Sequence, residues 1–152
     1  MKTTKKYGKK IDLALSLWVK LTRAYTVVQQ KAAEDIRKKG LTVPQFAVLE
    51  CLGHLGELSI GELTKKQLVT GGNMTLVLDN LEKEGLIKRK RLEENRRMVK
   101  VSLTEKGKQK FYKYFLPHAQ FISQLLSVLS QNEQEKLANL LKKLGKSIQK
   151  NN

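Results

Sequence analysis

The chain has 152 residues, 40% of them hydrophobic, which is enough for one domain with a sizeable core. Its 30 basic and 14 acidic residues give a formal net charge of +16. Such a charge favours a polyanionic partner, although a soluble protein with a lysine-rich surface could carry the same total. A single cysteine, Cys51, excludes an internal disulfide, and no apolar run reaches the roughly 18 residues of a membrane span. The basic N-terminus is too amphipathic for a signal peptide, so we expect a cytoplasmic protein.

A long amphipathic helix is predicted to begin at Asp12 and to end at Gly40. Its apolar side chains recur every three or four residues, as in Leu13, Leu17 and Leu21, and together they cover a wide arc of the helix surface. This apolar arc is wider than packing against one neighbour requires, so the helix is expected to contact a second partner. In a chain this short, another subunit is a plausible partner.

The next helix has a strong start signal. Thr42 and Gln45 have the spacing of a capping box, and Pro44 falls in the first turn, where a missing N–H is harmless. The apolar residues that follow, from Phe46 to Leu55, predict a short and strongly buried helix.

The central stretch, residues 59–104, predicts a winged helix-turn-helix. A capping box of Ser59 and Glu62 starts one helix, and the Gly71–Gly72 pair marks the turn to a second helix that ends at Gly85. Beyond Gly85 the apolar period changes to that of strands, over Ile87–Leu92 and again from Met98 to Leu103. The fold class expected is therefore mainly α with a small β-hairpin wing.

Two more helices are predicted after the wing. Residues from Thr104 onward form a long helix in which Pro117 should produce a kink or a packing adjustment, and a capping box of Ser130 and Glu133 starts the last helix. We expect a single domain over residues 1–152. Its winged unit would be residues 42–104, and its dimerisation helices would be residues 11–39 and 105–150.

The positive charge is densest on the predicted wing. Residues 87–110 carry 10 basic and 3 acidic side chains, whereas residues 41–86 carry 3 basic and 6 acidic ones. A charge run is usually a solvated face, but here it directly follows a helix-turn-helix. That position favours contact with DNA phosphates.

Several motifs follow one another along the chain in a specific order: L-T-V-P-Q-F, S-I-G-E-L, T-G-G-N-M-T, D-N-L-E-K-E-G-L-I, E-N-R-R and V-S-L-T-E-K-G. In this combination the chain resembles the MarR family of bacterial transcription regulators over essentially its whole length. This resemblance implies a winged-helix homodimer, generally a repressor, that binds pseudo-palindromic operator DNA. Many members release DNA when a small phenolic or other aromatic compound binds, or when a cysteine is oxidised.

The resemblance also implies roles for single residues. The second helix of the winged unit would enter the major groove, and Arg97 occupies the position of a wing-tip arginine that enters the minor groove. Asn95 stands where the family has an aspartate that holds this arginine. Leu76 stands where many members have a basic residue, and an apolar side chain there could touch a thymine methyl, so we expect an A·T-leaning site.

The DNA-contact candidates are of two kinds. Some are short polar or apolar residues of the second helix of the winged unit, which we call the recognition helix, and the others are basic residues of the wing. Thr70 could instead only cap the helix, and alternate wing residues point to opposite faces. The full set is Thr70, Gly72, Asn73, Thr75, Leu76, Lys88, Arg89, Lys90, Arg91, Arg96 and Arg97.

A small-molecule effector, if one exists, would sit between the winged unit and the dimerisation helices, as in the family. Candidate lining residues are Trp18, Tyr25, Phe46 and His54, although aromatic residues at helical spacing are more often plain core. His118 is interpreted as a surface or ligand-pocket histidine. Cys51 is interpreted as core filler rather than a redox sensor, since no basic residue lies within a helical turn of it.

Two rival functions remain open. One is a non-specific, architectural DNA-binding protein whose charge supplies most of the affinity. The other is a protein–protein adaptor, which the basic wing disfavours. We expect no enzymatic activity, no cofactor and no metal, because the sequence offers no nucleophile–base pair, no glycine-rich phosphate loop after a strand and no metal-ligand spacing.

Overall fold

The structure, a computed structural model, describes residues 7–67, 71–91 and 98–149. These residues form six helices and three strands. In chain order they are α1 (Lys9–Lys38), α2 (Val43–Leu55), β1 (Leu58–Ser59), α3 (Ile60–Gln67), α4 (Gly71–Lys83), β2 (Ile87–Arg91), β3 (Val99–Leu103), α5 (Glu105–Leu126) and α6 (Gln131–Gln149). The predicted fold class, mainly helical with a small β wing, is confirmed.

The described residues up to His118 form one compact unit, and those from Ala119 onward form another. No helix in the described part of the chain combines the length and apolar content that crossing a membrane would require.

The predicted capping boxes are confirmed. The hydroxyl of Thr42 accepts from the Gln45 backbone N–H at 3.3 Å, and the side-chain Oε1 of Gln45 accepts from the Thr42 N–H at 2.9 Å. Ser130 and Glu133 make the same reciprocal pair at the start of α6. Each box satisfies backbone donors that the first turn of a helix leaves unpaired, which fixes where these helices begin.

The core of the first unit lies between α2, α3, α4 and the sheet. Its largest fully buried side chains come from all of these elements: Val48, Leu49, Leu63, Met74, Leu78, Leu81, Leu86, Ile87 and Val101. Cys51 is partly buried and packs against this cluster, as core filler would.

The sheet has three antiparallel strands in the order β1-β3-β2. Ile87 pairs with Leu103 and Arg91 with Val99, so the predicted hairpin is confirmed over these residues. Leu92, expected as the last residue of its first strand, lies outside the described residues. Strand β1 was not predicted from the sequence, because two residues are too few to show an alternating pattern.

Two further details differ from the sequence prediction. Gly71 and Gly72 lie in the first turn of α4 rather than in the turn before it. Glycine is tolerated there because the first N–H groups of a helix have no intrahelical partner to lose. Helix α1 begins at Lys9 instead of Asp12, which places Asp12 in its first turn, where a carboxylate is favourable. Helix α5 runs through Pro117 to Leu126, in line with the single long helix expected there.

The end of α4 is joined tightly to the start of α5. Gly85 has φ 70°, so α4 ends in the predicted left-handed glycine. The Thr104 hydroxyl donates to the Gly85 carbonyl at 2.6 Å, and the Thr104 N–H donates to the Leu86 carbonyl at 3.1 Å. A Cβ on Gly107 would lie 1.9 Å from the Leu86 carbonyl oxygen, so only glycine fits this approach. We call these contacts the α4–α5 junction.

Candidate nucleic-acid interface

Helix α4 has one buried side and one exposed side. Met74, Leu78 and Leu81 are buried in the core, because they recur at the three- and four-residue spacing of a helix face. Among the predicted contacts, Asn73, Thr75 and Leu76 are exposed. The exposed side therefore combines short polar side chains with one large apolar side chain.

A recess of about 290 Å³ lies beside this exposed side, between α4 and the first turn of α2. Its walls are mostly apolar, with carboxamide and hydroxyl groups among them. The lining residues are Thr42, Pro44, Gln45, Asn73, Met74, Leu76, Val77 and Asn80.

The described part of the wing carries its basic residues on strand β2. Lys88, Lys90 and Arg91 are exposed, so their charges are available to a polyanion. Lys90 lies opposite Lys100 of β3, whose ammonium is paired with the carboxylate of Glu62. The cluster supplies the electrostatic attraction that phosphate binding requires.

Arg89 is different from its neighbours, because its guanidinium is engaged within the chain. Its Nε donates to Glu82 Oε2 at 2.8 Å, and its Nη2 donates to Asp79 Oδ1 at 2.6 Å. The Arg89 N–H also donates to Glu82 Oε1 at 3.2 Å. The hydrogen bonds from Arg89 lower the pKa of Glu82 below its usual value. The side chain thus ties β2 to the wing-facing side of α4.

Glu62 makes a second connection between elements. Its carboxylate accepts from the Ser59 N–H and hydroxyl, both at 2.7 Å, which confirms the predicted capping box. The Lys100 ammonium of β3 lies 3.6 Å away. The Ser59 hydrogen bonds, followed by the charge of Lys100, lower the pKa of Glu62 to about 2. A charged carboxylate therefore holds the start of α3 beside β3.

Three of the predicted DNA-contact residues, Thr70, Arg96 and Arg97, lie outside the described residues, as does Asn95. Gly72 falls within α4. The remaining predicted contacts lie on α4 and on strand β2, and alternate residues of β2 point to opposite faces of the sheet.

None of the four candidate effector-pocket residues lines the 290 Å³ recess beside α4. Trp18 and Tyr25 lie on α1 and are 64% and 63% exposed. Phe46 and His54 lie on α2, where the His54 ring contacts those of Phe111 and Phe115 on α5 at centroid distances of 5.2 and 4.4 Å. A second recess, of about 360 Å³ between α2, the sheet and the start of α5, is lined by other residues.

The interpretation of His118 as a surface residue is wrong. It is 9% exposed, its Nδ1 lies 2.6 Å from Asp35 Oδ2, and its ring meets Phe46 edge-on at 4.8 Å. Lys39 also donates to Asp35. Burial raises the pKa of Asp35, but the hydrogen bonds from Lys39 and His118 outweigh it and leave the pKa below its ordinary value.

Sequence reasoning missed this cluster, because Asp35 and His118 are 83 residues apart. The one local signal was the four-residue spacing of Asp35 and Lys39, which suits a helical ion pair. We call Asp35, Lys39 and His118 the α1–α5 ion cluster.

These features define a class of protein: a winged helix-turn-helix unit with a basic wing, extended by further long helices. Comparison with known proteins agrees. Residues 41–99 match the model of the MarR family.

One curated relative is the HTH-type transcriptional regulator MhqR of Bacillus subtilis strain 168, which is 36% identical over 88% of this chain and 92% of its own length. Another is the HTH-type transcriptional repressor MdtR of the same strain, 28% identical over 91% of this chain and 89% of its own. Among solved structures, a mutant of MarR from E. coli complexed with operator DNA superimposes with a TM-score of 0.73. It is 27% identical and covers 83% of this chain and 94% of its own.

The chain therefore belongs to the MarR family of transcriptional regulators, and it is a DNA-binding protein with that family's winged-helix fold. Its matched relatives are regulators rather than enzymes.

Proposed function

We propose that the protein is a repressor that binds a pseudo-palindromic operator as a homodimer. The repressor assignment is supported by the name of MdtR, and operator binding by the DNA complex of the E. coli relative. Two recognition helices would enter successive major grooves, with half-sites about one helical turn apart. The protein would act in the cytoplasm as a single domain, with residues 42–104 on DNA and residues 11–39 and 105–150 at the dimer interface.

The observation that carries the proposal is that α4 and β2 expose different kinds of side chain. The exposed side of α4 presents Asn73, Thr75 and Leu76, which suit base edges, whereas Lys88, Lys90 and Arg91 of β2 suit phosphates. Affinity would then come mostly from the wing, including Arg96 and Arg97, and sequence preference mostly from the helix. Thr70 and Gly72 would face the phosphates at the start of α4.

We also propose that a small aromatic effector releases the protein from DNA. Its pocket would involve Trp18, Tyr25, Phe46 and His54. The aromatic contacts of α2 with α5 support this location, since a flat ligand inserted there could change the spacing of the two helices. Such a ligand would act by population shift, favouring the conformation to which it binds better.

A binding selection on genomic DNA fragments, at near-physiological salt and with scrambled competitor DNA, tests the function. We expect recovery of an inverted repeat with half-sites one turn apart. Recovery of random fragments, with affinity that collapses as salt rises, would instead indicate an architectural protein. The recovered operator then serves as the probe for an effector screen.

A further inference from the structure

Leu76 lies near the middle of the exposed side of α4. At about 100° per residue, it is turned away from the buried direction that Met74, Leu78 and Leu81 define. The side chain is 62% exposed. A single exposed leucine on a surface needs no explanation, so its surroundings decide whether it has a role.

Apolar and carboxamide side chains both lie beside Leu76. Leu76 forms part of the wall of the 290 Å³ recess, together with Pro44 and Val77. Asn73 and Asn80 line the same recess, one turn to either side of Leu76 along the helix. Within the described part of the chain, neither side chain has a hydrogen-bond partner, so both can serve a ligand.

The charged side chains of α4 indicate which bases this part of the helix could read. Guanine is read best by a basic side chain, and the basic residue among those described in α4 is Lys83, in its last turn. Cytosine is read by a carboxylate, but Asp79 is paired with Arg89. The side chains around Leu76 suit neither base.

We infer that Leu76 and its recess select an A·T pair in each operator half-site. The C5-methyl group of thymine packs on Leu76 at the mouth of the recess, and a flanking carboxamide, from Asn73 or Asn80, bonds to N7 and the N6 amino group of adenine. This inference rests on the proposed sequence-specific DNA binding, and it identifies the base pair that this part of the helix reads.

The test removes the methyl group from DNA and the leucine from the protein, separately and together. Each thymine of the selected operator is replaced in turn by uracil, in both half-sites at once, and binding is measured by fluorescence anisotropy. For the wild type we expect one position at which affinity falls about fourfold per half-site, the value for burying one methyl-sized group. In Leu76→Ala the same replacement should change affinity less than twofold.

Two variants complete the experiment. Leu55→Ala removes an equally exposed leucine at the end of α2, outside the interface, and should retain the full response to uracil. Leu76→Arg should change the preferred pair at that position from A·T to G·C, because arginine bonds to guanine O6 and N7. Both substitutions are at exposed positions, and thermal unfolding checks that the fold is intact.

The outcomes separate this inference from the proposed function. Specific operator binding with a uracil response that is the same in wild type and Leu76→Ala overturns the role of Leu76 but leaves the regulator intact. Absence of any sequence preference overturns both. A response that is present in wild type and abolished in Leu76→Ala, together with the change of preference in Leu76→Arg, supports the inference.

Discussion

At the scale of single residues, Glu62 shows how a capping side chain can serve two elements at once. Its carboxylate satisfies the Ser59 N–H at the start of α3 and lies near the Lys100 ammonium of β3. Both interactions favour the charged form, which is why its pKa falls to about 2. A pKa depressed in the folded state makes folding dependent on pH.

Glu62→Gln should lose an acid-sensitive part of the stability. The contribution of Glu62 is fully present above the ordinary glutamate pKa of 4.5, and it disappears as the pH falls through the folded-state value of about 2. Urea unfolding midpoints of wild type and variant should therefore differ most above pH 4.5 and converge toward pH 2.

The comparison for this experiment is Glu135→Gln, the same chemical change at an exposed residue of α6 outside the capping boxes. Its midpoint should follow that of the wild type at every pH. If the Glu62→Gln difference is constant across the range, the carboxylate charge contributes nothing to the capping interaction.

At the scale of elements, Arg89 fixes how the wing meets the recognition helix. One guanidinium bonds to two carboxylates of α4, and this geometry is open to arginine but not to lysine. Since α4 and β2 must contact DNA together in the proposed complex, their relative placement affects affinity even though Arg89 itself points into the chain.

Arg89→Gln should weaken operator binding without changing its salt dependence. A residue that acts by position releases no counterions, so the slope of log affinity against log salt should stay that of the wild type. Lys90→Gln, at the exposed neighbour, should lower the slope by about 0.9 for each phosphate that the lysine neutralises in the wild type. An equal reduction of slope in both variants would mean that Arg89 binds phosphate directly.

Much of this element-level description could be predicted from the sequence. The capping boxes at Thr42, Ser59 and Ser130 depend on neighbouring residues, as does the glycine end of α4, and all were confirmed. Strand β1 and the α1–α5 ion cluster could not be predicted. They depend on pairings between residues far apart in the chain, and such pairings leave no local pattern.

The candidate DNA-binding site likewise could be predicted only where it depends on neighbouring residues. The exposed residues of α4 follow from helical periodicity, whereas the engagement of Arg89 depends on how a strand docks against a helix. A run of basic residues in a sequence therefore does not tell which of them are available to DNA.

At the scale of the whole molecule, two long helices carry large exposed apolar side chains. On α1 these are Ile11, Leu13, Leu15, Leu17, Trp18, Val19, Tyr25 and Val27, and on α6 they are Leu137, Leu140, Leu141, Leu144 and Ile148. So many exposed apolar side chains on one helix are unusual on a monomer, and such surfaces often mark an interface. It supports the proposed homodimer.

Sedimentation velocity should give the wild type a mass twice the chain's 17.4 kDa. The double variant Leu13→Glu with Leu17→Glu should sediment as a monomer, because charges would be buried without partners at the interface. Leu55→Glu, the same kind of substitution at an exposed leucine at the end of α2 and outside the proposed dimer interface, should remain dimeric. A monomeric wild type at micromolar concentration would contradict the proposal.

Helix α5 contacts other elements at two points along its length, and these contacts link movements of those elements. Its start is bound to the end of the recognition helix through the α4–α5 junction, and His118 is bound to α1 through the α1–α5 ion cluster. The two attachments are about 20 Å apart along the helix axis, at 1.5 Å per residue. Because α5 is continuous between these two attachments, we expect a displacement of α1 to change the tilt of α4. In the proposed dimer, the surface that would face the partner subunit and the surface that would face DNA would therefore move together.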